Sequence, residues 1–66
     1  MFRMGDKVTV VAASPENAGT EGRTGVVVDD GSKSGGLIAV KGIDNRLTES
    51  LKGYRGYTAD QLKLSQ

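Results

Sequence analysis

The 66-residue chain contains no cysteine, no histidine and no tryptophan, and it has one proline, Pro15. Without thiols there is no disulfide and no thiolate metal site. Without imidazole, the side chain that most often shuttles protons or ligates transition metals near neutral pH is missing. What remains gives no catalytic set. Asp29 and Asp30 form a carboxylate pair, but neighbours on a strand point to opposite faces, and the following Gly31 makes a turn the better reading. Gly35-Gly36 and the glycines at 53 and 56 lack the strand, helix and lysine setting of a phosphate-binding loop. A non-enzymatic protein without cofactor or metal is expected. No secretory segment or long apolar run is present, so the expectation is a cytoplasmic protein with no membrane partner.

An excess of one charge sign is missing too. Nine basic residues against eight acidic ones leave a net charge of +1, which predicts no strong non-specific attraction to nucleic acid or anionic lipid. The distribution is less even: residues 1–32 carry three basic and five acidic side chains, residues 33–66 six and three. Aromatics are scarce, with only Phe2, Tyr54 and Tyr57, so the core must be built from seven valines, five leucines and two isoleucines. β-Branched residues favour strands. A chain this short buries only about 60% of the surface its unfolded form exposes and forms one domain of narrow stability margin, residues 1–66.

Two valine-rich runs, each led in by glycine, give the fold its signature: Gly5-Asp6-Lys7-Val8-Thr9-Val10-Val11 and Gly22-Arg23-Thr24-Gly25-Val26-Val27-Val28-Asp29. The first predicts a strand from Met4 to Val11, with Val8 and Val10 on the inner face, continued by Met4, and Lys7 and Thr9 on the other. Residues 12–24 read as a loop in which Ser14-Pro15 starts one helical turn. Gly25–Asp29 is the second strand, where Val26 and Val28 share an inner face and Val27 takes the other, with cover on both. Bends follow at Asp30-Gly31 and Ser34-Gly35-Gly36, then a third strand over Leu37–Ile43. Residues 42–56 read as a long connection anchored by Leu47 and Leu51. A short strand over Tyr54–Thr58, a capping-box turn over Thr58–Gln61, and a terminal strand at Leu62–Leu64 that pairs with the first complete the chain.

These elements predict an all-β fold: a small five-stranded barrel with a single short helical turn before the last strand, closed because an open sheet of this size leaves its edges exposed. The pattern Gly5-Asp6-x-Val8-x-Val10, then Gly22-x-x-Gly25-x-Val27 or Val28, a hydrophobic third strand ending in Val40, and Thr58-x-x-Gln61-Leu62-x-Leu64 resembles SH3-like barrels of the KOW type over almost the whole chain. Barrels of this family do unrelated jobs, so the resemblance implies a binding module without saying what it binds.

The segment Lys41–Tyr57 suggests one partner. Lys41, Arg46, Lys52 and Arg55 are placed to contact phosphates, while Tyr54 and Tyr57 offer faces for unpaired bases, which points to RNA, DNA or a ribonucleoprotein. A structural alternative has Tyr57 closing the barrel and Tyr54 packing beneath its own loop. The other functional reading is a protein-binding adaptor or self-associating assembly subunit, with Phe2 and Leu37 as the apolar contact. The alternative for Phe2 is a terminal side chain capping the barrel end.

Overall fold

A computed structural model describes residues 2–32 and 35–65. Five strands, β1 (Lys7–Val10), β2 (Thr24–Asp29), β3 (Ile38–Lys41), β4 (Arg55–Tyr57) and β5 (Leu62–Leu64), form one antiparallel sheet in the order β4-β3-β2-β1-β5. The terminal strand pairs with the first as the alternation of leucines predicts, Leu62 opposite Val10 and Leu64 opposite Val8. The expected closure is not seen. β4 and β5 stay at opposite edges: the Gln61 carbonyl accepts from the Val11 and Ala12 amides, which draws β5 onto β1, and no strand pairing joins β5 to β4 among the described residues.

Alternation decides what goes inside. Val8, Val10, Val27, Ile38, Val40, Ile43, Tyr57 and Leu62 form the buried cluster, and Phe2 and Ala13 pack against it. On β2 the inner positions are Gly25 and Val27 rather than Val26 and Val28. Val26 is exposed on the outer face, and a bulge between Val27 and Asp29 leaves Val28 half-buried, so the three valines are not covered on both sides. Gly25 marks a close crossing: a Cβ there would meet the Lys41 carbonyl oxygen and come within 2.6 Å of Val40 Cγ1. The pairing of β2 with β3 therefore requires glycine at that point. Met4 lies in a turn before β1 and is 69% exposed, so it does not extend the inner face.

Both helical turns read from the sequence are present. A 3₁₀ turn spans Pro15–Asn17 after Ser14, and another spans Ala59–Gln61, where the Gln61 side chain accepts from the Thr58 amide at 3.0 Å. A third helical element was not expected. Residues 42–56 hold an α-helix, α1 (Arg46–Lys52), started by Asn45, whose Oδ1 accepts from the Thr48 amide at 2.8 Å, and ended at Gly53 with φ 82°. Leu47 and Leu51 are not its anchors, being 71% and 78% exposed. The helix is held instead through a polar contact: the buried Glu49 accepts on Oε2 from the Gly42 amide at 2.8 Å and the Asp44 amide at 3.3 Å.

Candidate nucleic-acid interface

The outer face of the sheet is assembled by register. Lys7 on β1 lies opposite Val26 on β2, and Val26 lies opposite Lys41 on β3. Carrying the β3–β4 register one residue beyond Val40 and Arg55 sets Tyr54 beside Lys41. A row Lys7–Val26–Lys41–Tyr54 therefore crosses the sheet, about 14 Å long at the usual strand spacing. A second row, Lys63–Thr9–Thr24, runs beside it, with the two threonine hydroxyls 3.3 Å apart. Lys7, Lys41 and Lys63 are all exposed, and no carboxylate occupies a register position in either row.

Where Lys41 meets α1 the face opens into a pocket of about 300 Å³ lined by Lys41, Arg46, Glu49, Ser50 and Tyr54. Helix α1 presents Arg46, Glu49 and Ser50 to it because positions three and four apart share a helix face. Tyr54, 47% exposed, forms one wall with its ring open to solvent. Three of the six residues read as nucleic-acid contacts, Lys41, Arg46 and Tyr54, thus come together at one concavity. Lys52, on the last turn of the same short helix, is exposed but does not line it.

The remaining two are held inside the fold. Tyr57 is fully buried and its hydroxyl lies 2.8 Å from that of Thr20, so its ring offers no face to a base; it sits in the core, although the barrel it was expected to close is not formed. Tyr54, by contrast, is not tucked beneath its loop. Arg55 is spent on the protein itself: Nε donates to Asp44 Oδ2 at 2.8 Å, and Nη1 donates to the Glu16 carbonyl and Asn17 Oδ1, both at 3.0 Å. The hydrogen bond that Arg55 donates to Asp44 holds its guanidinium above its already high range, against a smaller opposing effect of burial, so it stays charged throughout the neutral range. Asn17 closes the network by donating to the Gly56 carbonyl at 2.9 Å. This network ties the long β1–β2 connection to β4, and it positions the strand that Tyr54 leads into.

Lys7 and Lys63 were missed as partners of Lys41 because they are far from it in sequence. Their signal was present: each flanks or alternates with inward aliphatics, and pairing of the first and last strands sets both on the outer face. Leu37 does not line the concavity that Phe2 lines. Phe2 packs on the core and lines a separate, largely apolar concavity with Ile38, whereas Leu37 is half-exposed over Gly56.

Among the described residues no group of histidine, cysteine, aspartate and glutamate is arranged to hold a metal ion, and no helix is long and apolar enough to cross a membrane. The chain matches no family model, no curated protein and no solved structure.

Proposed function

We propose that this chain is a non-enzymatic module that binds single-stranded nucleic acid across the outer face of its sheet. The observation that carries the reading is the convergence of Lys41, Arg46 and the open ring of Tyr54 on one pocket, continued by the exposed lysines of the two outer rows. An aromatic face accepts any base, and exposed cations beside it follow the phosphate backbone; together they are the two components of single-strand binding. The strand order, with a 3₁₀ turn leading into a last strand paired to the first, is consistent with a relative of SH3-like, KOW-type barrels, and a cytoplasmic setting fits such a role.

The test is a fluorescence titration with short labelled RNA and DNA strands at low and raised salt. Binding at about 50 mM salt that weakens steeply as salt rises is the expected result, because phosphate contacts release counterions. No binding to any strand at that salt removes the proposal.

A second reading, self-association through α1, is favoured by Leu47 and Leu51, one turn apart and both exposed beside Arg46 and Ser50. Sedimentation showing a monomer at high concentration removes it.

A further inference from the structure

Leu47, Leu51 and Lys52 have no part in the strand-binding face. Leu51 and Leu47, 78% and 71% exposed, are the two most exposed large apolar side chains among the described residues, and neither lines the pocket of Lys41 and Tyr54 or that of Phe2. Helix geometry sets where they face. At about 100° per residue the two leucines share one side of α1, centred about 180° from Glu49, whose carboxylate fastens the helix to the Gly42 and Asp44 amides. They point away from the body of the fold. Thr48 and Ser50 flank them, and beyond those stand Arg46 and Lys52, both exposed, one on either side. The acids of the segment are used inside the protein, Glu49 on the amides and Asp44 on Arg55 Nε at 2.8 Å. The outward side of α1 is thus an apolar stripe edged on the helix by cations alone.

We propose that α1 docks on an anionic lipid surface, with Leu47 and Leu51 turned into the acyl boundary and Arg46 and Lys52 on the lipid phosphates. Leucine on one face with Lys or Arg beside it is the pattern of a helix that lies in the membrane interface rather than spanning it. The long basic stems let both charged heads stay among the phosphates while the leucines go deeper. Anionic lipid answers both parts of the stripe, since headgroups supply the negative charge and acyl chains the apolar medium. Other occupants answer less of it. A groove that receives a helix reads anchors at i, i+4 and i+7, and seven residues offer one i, i+4 pair. A second copy brings matching leucines but sets Arg46 and Lys52 against cations of their own sign. The whole-chain charge of +1 predicts no such attraction; α1 supplies it locally, over a screening length of about 10 Å.

Co-sedimentation of the intact chain with vesicles tests this, one set of phosphatidylcholine alone and one with about 30% phosphatidylserine, whose negative surface potential attracts basic residues. Binding to the anionic set at about 50 mM salt, at least about tenfold stronger than to the neutral set and weaker at raised salt, is expected. Leu47→Ser with Leu51→Ser, and Arg46→Gln with Lys52→Gln, change only exposed side chains, and circular dichroism checks their folding. The leucine pair is expected to lower anionic binding about tenfold and the cation pair about twentyfold. Because the chain has no tryptophan, Leu51→Trp gives a single reporter, whose emission is expected to shift to the blue on anionic vesicles. No binding to the anionic set overturns the inference and leaves a protein groove as the occupant. Equal binding to both sets, binding that survives loss of both leucines, or an unshifted Trp emission also overturns it. So does a dimer in lipid-free sedimentation that the leucine variant abolishes, which assigns the stripe to a second copy. No strand enters these measurements, so they are decided independently of the nucleic-acid reading.

Discussion

The Tyr57 and Thr20 hydroxyls lie 2.8 Å apart in the interior, and Thr20 also donates to the Asn17 carbonyl at 2.8 Å. Because the single Thr20 proton is used on Asn17, it is Tyr57 that donates to Thr20. The only buried tyrosine is thereby satisfied, and it pins the long β1–β2 connection to β4. Tyr57→Phe is expected to cost about 1 kcal/mol, the net value of one such bond, whereas Tyr57→Ala removes the largest core side chain at about 3–5 kcal/mol. In a domain with so little stability to lose, the alanine variant should be largely unfolded. Urea melts of both variants check this; equal midpoints would show the ring is not in the core.

Arg55 serves three acceptors on two other segments, Asp44, Glu16 and Asn17, so its guanidinium fork is not replaceable by a point charge. Arg55→Met is expected to cost about 1–3 kcal/mol, since it leaves the half-buried Asp44 without its partner. Arg55→Lys should recover only part of that. Thermal melting that ranks lysine equal to arginine would contradict the network.

Gly25→Ala drives a methyl against the Lys41 carbonyl and the Val40 side chain. The backbone cannot yield there without disturbing the β2–β3 ladder, and a cost of about 1–3 kcal/mol follows from overpacking. Gly5→Ala is the contrast, since its added carbon meets nothing but sits at φ 94°, a strain of about 1 kcal/mol. A melt in which Gly25→Ala matched the parent would place β3 elsewhere.

Among the valines, Val10→Ala and Val27→Ala should each cost about 1–3 kcal/mol, Val28→Ala less, and the exposed Val26→Ala little. This ordering departs from what the sequence suggests for β2, and the departure is instructive. Alternation says which residues share a face but not which face is inner. Gly25 holds the inner position because the crossing chain leaves no room for a side chain, and a bulge then displaces Val28. The strands themselves were legible, since valines between glycines and Asp-Gly turns leave few alternatives. So were the two 3₁₀ turns, from Ser14-Pro15 and from Thr58 with Gln61.

Helix α1 was not legible from apolar spacing, because its leucines face solvent and its attachment is the Glu49 carboxylate on the Gly42 and Asp44 amides. Asn45 and Gly53 at its ends carried the usable signal. The candidate site was readable only in part for a related reason. Lys41, Arg46 and Tyr54 fall within one stretch of chain, but their continuation through Lys7 and Lys63 exists only once β1, β2, β3 and β5 are in register.

On the outer face, Tyr54→Ala is expected to weaken binding of a single strand by about 1–3 kcal/mol, the value of one stacked base. Lys7→Ala, Lys41→Ala and Lys63→Ala should each weaken it across all sequences and reduce the slope of log affinity against log salt by about 0.7. Arg3→Ala, at a residue that holds no register position in either row, should leave the slope unchanged. Salt series on the four variants check the assignment, and a slope insensitive to all three row lysines would refute it.

The most direct measurement is a backbone amide shift map of the isotope-labelled protein titrated with a short single strand. Perturbations concentrated at Lys7, Lys41, Arg46, Tyr54 and Lys63 are the predicted result. A titration that shifts none of these amides, or that moves those around Phe2 and Ile38 instead, contradicts the account.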